Sequence, residues 1–186
     1  MAPISLHFDL PDSSVTDALG QALARAYPGV AAGTAGTAGT AHTDVSVAGA
    51  VVYLQGELGA GKTTCVRSLL RALGVTGLVR SPTYTLVETY DLGALTCVHV
   101  DLYRVQSLTE VDELGLRDLV GPGCLLLVEW PERGAGVLPP ADMDLGLRYA
   151  GDARQVNLHA HTGVGAQWLE NLGRDTSLSF YVSNLT

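Results

Sequence analysis

The stretch GELGAGKTTC, residues 56–65, has the residue types and the spacing that bind phosphate. Gly56, Gly61, Lys62 and Thr63 match the pattern G-x-x-x-x-G-K-[ST] between a predicted strand and a predicted helix. The glycines let backbone N–H groups wrap a β-phosphate, and the helix begins with unpaired N–H groups at its positive dipole end. We expect Lys62 to reach the β- and γ-phosphates and the Thr63 hydroxyl to ligate Mg²⁺. The pattern favours a nucleoside triphosphate site over the alternative, a glycine-rich turn without a ligand.

Lys62 is the only lysine among the 186 residues, whereas the other ten basic residues are arginines. An ammonium is a compact point charge that fits inside a tight backbone loop, but a guanidinium is a broad planar fork. A composition biased towards arginine therefore keeps its one lysine where arginine does not fit. This distribution supports the phosphate-binding interpretation.

Two acidic residues follow predicted buried strands, where a carboxylate for Mg²⁺ is expected. Asp101 follows LTCVHV and Glu129 follows CLLLV. A buried carboxylate without a cation or water is costly, although either residue alone is also compatible with a solvated strand end. We predict both as catalytic and metal-binding candidates; the spacing does not decide which ligates the metal and which positions water.

The segment SPTYTL, residues 81–86, places hydroxyl groups and a proline beyond the phosphate-binding helix. This composition suits a switch segment that senses a γ-phosphate or its water. Ser81, Thr83 and Tyr84 are the candidate positions. An ordinary turn into an edge strand is the alternative.

The sequence favours ATP over GTP because it contains no Asn-Lys pair of the NKxD type that reads guanine. Two other functions remain open. One is a stand-alone small-molecule kinase with a similar phosphate loop, and the other is a nucleotide-sensing adaptor that does not turn over.

The charge balance disfavours direct binding of nucleic acid. The net charge is −8 and the isoelectric point is near 4.9, whereas phosphate backbones are bound by clustered Lys and Arg.

The N-terminal sequence lacks a signal-peptide pattern and the apolar runs are too short to span a membrane, so we expect a cytoplasmic protein. Three scattered cysteines, Cys65, Cys97 and Cys124, are expected to be buried reduced thiols.

Hydrophobic periodicity predicts strands alternating with helices and hence an α/β fold with a mostly parallel sheet. Helices are predicted after PDSS, from Thr63 to Leu73 and within AQWLENLG. Strands are predicted at 4–10, 50–56, 85–90, 95–103 and 124–130, with a hairpin formed by MDLGLRY and RQVNLHA. We predict one domain over residues 1–165, in which 28–46 form a flexible low-complexity loop, followed by a C-terminal helix and loose tail over 166–186.

Five motifs in order, GELGAGKTT, SPTYTLVETY, HVDLYR, ELGLRDL and LLLVEWPE, resemble the TsaE family over about residues 13–160. The resemblance implies a P-loop NTPase-like three-layer sandwich with a partly mixed sheet and a weak Mg²⁺-dependent ATPase activity. It also implies partners, TsaD and TsaB, and a role in forming N6-threonylcarbamoyladenosine (t6A) at position 37 of tRNAs that decode ANN codons. The tRNA would then be bound through the partners, in agreement with the acidic charge.

The resemblance also implies site residues. The Mg²⁺ ion would be held by Thr63 and Glu129, with Asp101 nearby as the acid that orients water or metal. Thr83 and Tyr84 match the family's switch-like positions. The implied ATP-binding residues are Gly59, Ala60, Gly61, Lys62, Thr63, Thr64, Trp130, Thr16 and Arg154.

Overall fold

The structure, a computed structural model, describes residues 4–31 and 47–181. Seven strands form one sheet in the order β1-β7-β6-β2-β5-β4-β3. Their bounds are β1 (Ser5–Leu10), β2 (Ala50–Gly56), β3 (Val87–Asp91), β4 (Thr96–Asp101), β5 (Cys124–Glu129), β6 (Met143–Ala150) and β7 (Ala153–Ala160).

The sheet is mixed, with a parallel centre. Strands β6, β2, β5 and β4 run parallel to one another; β7 pairs antiparallel with β6, β1 pairs antiparallel with β7, and β3 pairs antiparallel with β4. The central strands are apolar on both faces, as is typical of parallel strands covered by helices on both sides. The predicted α/β fold with a mostly parallel, partly mixed sheet is therefore confirmed.

Helices cover both faces of the sheet. They are α1 (Ser13–Ala26), α2 (Pro28–Ala31), α3 (Lys62–Ala72), α4 (Leu108–Asp112) and α5 (Gly163–Gly173), with three 3₁₀ helices at Leu116–Leu119, Pro131–Gly134 and Thr176–Tyr181. Side chains of β2 and β5 alternate between the two faces: Leu54 and Leu127 belong to the core with α1, α3 and α5, whereas Val51 and Val128 belong to the core beneath α4. The result is the expected three-layer arrangement.

Local sequence signals explain several element ends. The Asp12 side chain accepts hydrogen bonds from Ser14 and Val15 N–H at the start of α1. Ser107 accepts from Glu110 N–H at the start of α4, and the spacing of these two residues is that of a capping box. The predicted hairpin forms with Ala150 opposite Ala153 across a two-residue turn.

Two segments differ from the sequence-based expectation. Pro28–Ala31, which we expected to belong to a flexible loop, form the short helix α2, while residues 32–46 lie outside the described residues. Thr176–Tyr181, which we expected to be loose, form a 3₁₀ helix because Leu178 is buried in the core that Trp168, Leu169 and Leu172 of α5 also fill. Residues 182–186 lie outside the described residues.

Within residues 4–31 and 47–181, no helix is both long and apolar enough to cross a membrane. Cys65 and Cys97 are buried and Cys124 is half-buried, all three as free thiols. Burial raises the pKa of the Cys65 thiol to about 12 and that of Cys97 to about 12. These values fit the expected unreactive thiols.

Candidate functional site

The turn between β2 and α3 requires glycine for two different reasons. Gly56, Gly59 and Gly61 all have positive φ, of 137°, 78° and 112°. At Gly56 an added Cβ would also lie 2.0 Å from the Leu147 carbonyl oxygen of the neighbouring strand. Gly61 is the N-cap of α3, and its carbonyl accepts the Cys65 N–H at 2.9 Å. The loop therefore closes tightly over the start of the helix.

The first turn of α3 has no side-chain cap at Gly61. Its N–H groups are consequently left for another acceptor, and the helix dipole favours an anion there. Ala60, within the loop, is fully buried, so we expect it to contribute to phosphate binding through its backbone. This is the geometry expected of a phosphate cradle.

Lys62 is folded back onto the loop. Its Nζ donates to the carbonyl oxygens of Gly56 at 2.6 Å and Glu57 at 3.0 Å, and it lies 3.8 Å from the centroid of the Trp130 ring. Only 4% of its surface is exposed, and burial lowers the pKa of the ammonium, whereas the charge of Glu129 opposes that shift. A polyphosphate in the cradle would offer the ammonium anionic oxygens in place of two neutral carbonyls.

Asp101 and Glu129 end the paired strands β4 and β5 in register with each other. Glu129 accepts the Thr63 hydroxyl at 2.8 Å through Oε1 and at 3.0 Å through Oε2. Its Oε1 also lies 2.9 Å from His99 Nε2. The carboxylate of Glu129 is thus tied directly to the first turn of the phosphate-binding helix.

Asp101 has a different set of partners. Its Oδ2 accepts the hydroxyls of Thr83 at 2.7 Å and Ser81 at 3.2 Å, and its Oδ1 accepts the Tyr103 N–H at 3.0 Å. The two hydroxyl oxygens are 2.6 Å apart. The predicted switch segment is therefore anchored to the second carboxylate.

These groups border one cleft of about 510 Å³. Ten of the predicted residues line it: Gly59, Gly61, Lys62, Thr63, Thr64, Ser81, Thr83, Asp101, Glu129 and Trp130. Carboxylate and hydroxyl oxygens meet at its floor, and oxygen donors of this kind suit Mg²⁺. The residues present therefore fit a nucleoside polyphosphate with a magnesium ion.

Besides Ala60 of the loop, three predicted residues are not among those that line the cleft. Tyr84 is at the rim, 83% exposed, with the Arg104 guanidinium 4.4 Å from its ring centroid. Thr16 is buried behind the loop, where its Cγ2 would lie 3.3 Å from a Cβ on Gly61. Arg154 lies over the ring of Tyr149 in the β6–β7 hairpin. None of the three lines the cleft.

Sequence reasoning missed several neighbours of the site. His99 contacts Glu129, and Tyr103 packs against Trp130 with ring centroids 5.0 Å apart. Tyr149 donates its hydroxyl to the Leu58 carbonyl at 3.3 Å. A signal was available for His99 alone: it precedes Asp101 by two residues in a strand, so both point to the same face.

Comparison with known proteins identifies the family of this chain. The family model "Threonylcarbamoyl adenosine biosynthesis protein TsaE" matches residues 10–156. The chain is 44% identical over 124 residues to the tRNA threonylcarbamoyladenosine biosynthesis protein TsaE of Haemophilus influenzae, covering 67% of this chain and 77% of the relative. It is 35% identical over 135 residues to the protein of that name from Bacillus subtilis, covering 70% and 82% of the two chains.

A solved structure is similar over almost the whole length. The crystal structure of Bacillus subtilis YdiB superimposes with a TM-score of 0.66 at 27% identity, covering 94% of this chain and 97% of the other. The family-model match spans the phosphate loop and the two strand-end carboxylates. The chain therefore belongs to the TsaE family.

Proposed function

We propose that this protein binds ATP and Mg²⁺ in the cleft, hydrolyses ATP slowly, and thereby serves the formation of t6A in tRNA. One observation carries the nucleotide part: the only lysine lies in a glycine loop whose helix is joined, through Thr63, to a strand-end carboxylate. The pathway is supported by relatives whose names place them in tRNA threonylcarbamoyladenosine biosynthesis.

The loop binds the phosphates. Backbone N–H groups from Gly59 to Thr64 surround the β-phosphate, and Lys62 exchanges its carbonyl partners for β- and γ-phosphate oxygens. The indole of Trp130 keeps one side of the ammonium out of water. The tight loop leaves no room for the broader guanidinium of arginine.

The metal would be held by Thr63 and Glu129. When bound, Mg²⁺ neutralises charge that develops on the phosphates. Asp101 is 3% exposed and is held by Ser81 and Thr83, so it is suited to orient the attacking water. The two hydroxyls then link the position of segment 81–86 to that carboxylate, as expected for a segment that responds to the γ-phosphate.

Weak hydrolysis fits a subunit that acts on partners. We propose TsaD and TsaB as those partners, with tRNA bound by them, because a chain of net charge −8 is poorly suited to bind RNA itself. The site of action is then the bacterial cytoplasm, where tRNA is modified.

The test is complementation of a bacterium depleted of its own TsaE, with the t6A content of bulk tRNA measured by nucleoside mass spectrometry. The parent chain should restore t6A, and Lys62→Ala at equal abundance should not. Failure of the well-folded parent to restore t6A would contradict the proposal. ADP production that requires an added metabolite, with a phosphorylated product, would instead support a small-molecule kinase.

A further inference from the structure

We infer that His99 is a positioning residue that holds the Glu129 carboxylate in the orientation in which it receives a divalent cation. The inference rests on the proposed nucleotide and magnesium site and extends it by one residue. Three observations support it: the burial of His99, its 2.9 Å contact with Glu129, and the identity of the side chains that donate to the Glu129 carboxylate.

His99 is fully buried, in the strand that lies between β5 and the edge strand β3. It lies on β4, and Cys97, His99 and Asp101 alternate towards the face that α3 covers. Its side chain has 0% exposure, and its Nε2 is 2.9 Å from Glu129 Oε1. Burying a polar imidazole costs free energy. Its presence here therefore indicates that its hydrogen bond does something that an apolar side chain could not.

The contact defines which ring nitrogen carries the proton. The Glu129 carboxylate is an acceptor only, so His99 Nε2 must donate. Nδ1 has no hydrogen-bond partner among the described residues. A neutral imidazole with its hydrogen on Nε2 therefore satisfies the contact and leaves only a buried lone pair, which costs less than a buried unpaired N–H group.

The contact with His99 gives the two carboxylate oxygens of Glu129 different roles. Oε1 is fixed by His99, and the other described side-chain donor to the carboxylate is the Thr63 hydroxyl. Thr63 is itself the second expected metal ligand, so its hydrogen bond would not fix the Glu129 carboxylate independently of the cation. His99 would be the donor that fixes Oε1 whether or not a cation is bound, and Oε2 would then be available to the cation.

A role in packing alone makes a different prediction from a positioning role. The amide nitrogen of glutamine reaches about as far from the backbone as histidine Nε2, so His99→Gln retains a donor to Glu129. His99→Leu fills similar space without a donor. His99→Asn carries its amide closer to the backbone and should not reach the carboxylate. Cys97→Ala, at the neighbouring inward position of the same strand, controls for disturbance of the strand.

The experiment is calorimetric titration of the full chain with ADP over a series of Mg²⁺ concentrations, with thermal unfolding of each variant in the absence of metal. We expect His99→Leu to raise the Mg²⁺ concentration for half-maximal enhancement of ADP binding about 10- to 100-fold, the usual effect of losing a group that orients a metal ligand. ADP affinity in EDTA should change less than about twofold, which is within roughly 0.4 kcal/mol. His99→Gln and Cys97→Ala should respond to magnesium within about threefold of the parent.

A folded His99→Leu variant with the parental magnesium response would overturn the inference. If that variant does not fold, His99→Gln is compared with His99→Asn. Equal magnesium responses of these two variants would overturn the inference, and a parental response retained only by His99→Gln would support it. A parent that binds ADP without any magnesium response would overturn both this inference and the proposed metal site. A parent that responds while all variants respond equally would overturn the role of His99 alone.

Discussion

Asp101 and Glu129 lie side by side at the ends of paired strands, yet their carboxylates are held by different parts of the chain. Glu129 accepts the Thr63 hydroxyl and is therefore joined to the phosphate-binding helix. Asp101 accepts the Thr83 and Ser81 hydroxyls and is joined to segment 81–86. This arrangement separates a group suited to the metal from a group suited to the water, although the sequence alone did not distinguish them.

The link between Thr83 and Asp101 should control hydrolysis more than binding. Thr83→Val keeps the side-chain volume but removes the donor 2.7 Å from Asp101 Oδ2. A hydrogen bond to a charged acceptor contributes about 1.5–3 kcal/mol, so we expect single-turnover ATP hydrolysis to slow by at least about tenfold. ADP affinity measured by calorimetry should stay within about twofold, because no phosphate-binding group changes.

Thr85→Val is the matched control, since the Thr85 hydroxyl donates to the half-buried Glu88 side chain and not to Asp101. It should hydrolyse ATP at the parental rate. Equal rates for the parent and Thr83→Val would show that segment 81–86 does not act through Asp101.

The affinity for ATP should depend on pH through Lys62. Burial lowers the pKa of Lys62 in the free protein below its ordinary 10.5, and a bound polyphosphate should raise that pKa again. Between the two values the complex holds a proton that the free protein has lost, so binding takes up protons there. The affinity should therefore be highest below the lowered pKa and should fall as the pH rises through this window.

The stability of the ligand-free protein should have the opposite pH dependence. A lysine whose folded pKa is lowered destabilises the fold while it is protonated, so its contribution should improve as the pH rises from that lowered pKa towards the ordinary 10.5. Calorimetry of ATP binding in buffers of different ionisation enthalpy measures the proton uptake that accompanies binding. The residual affinity of Lys62→Gln should take up no proton in this window, and uptake equal to that of the parent would assign it to another group.

Gly56 should tolerate no side chain. Gly56→Ala places a Cβ 2.0 Å from the Leu147 carbonyl oxygen at a φ of 137°, so we expect the free energy of unfolding to fall by about 3 kcal/mol or more. Gly163→Ala is the control, because a Cβ there meets nothing within 4 Å at the start of α5. Urea denaturation should show this control within about 1 kcal/mol of the parent, and similar losses for both variants would contradict the close approach of Gly56 to β6.

The C-terminal 3₁₀ helix should contribute to stability through one residue. Leu178 is 1% exposed and Phe180 is 93% exposed. Leu178→Ala should lower the free energy of unfolding by about 2–4 kcal/mol, whereas Phe180→Ala should change it by less than about 0.5 kcal/mol. Denaturation that found the two variants equal would place Leu178 outside the core.

Much of the fold followed from local patterns. Strand β2 spans the predicted residues Ala50–Gly56, and α3 lies within one residue of its predicted ends. Both were predictable because the residues typical of a buried strand, a glycine loop and a helix end follow one another along the chain. The β6–β7 hairpin followed from two alternating runs about a short turn. Helix α2 was missed because four residues beside a glycine-rich stretch carry no periodic signal.

The sequence predicted ten residues that the structure brings to one cleft, but not the contacts among them. The contact of His99 with Glu129 depends on the register of β4 against β5, which joins residues 30 positions apart. The contact of Tyr149 with Leu58 depends on β6 pairing with β2. Neither register is set by local sequence, since long-range pairing is decided by the packing of the whole sheet.

The central claim is that Lys62 and its glycine loop bind the phosphates of ATP, and calorimetric titration of the parent and Lys62→Ala with ATP and Mg²⁺ tests it most directly. We expect the substitution to weaken ATP binding at least about 100-fold, or about 2.7 kcal/mol, while circular dichroism shows the parental secondary structure. A folded Lys62→Ala variant that binds ATP as tightly as the parent would contradict the claim.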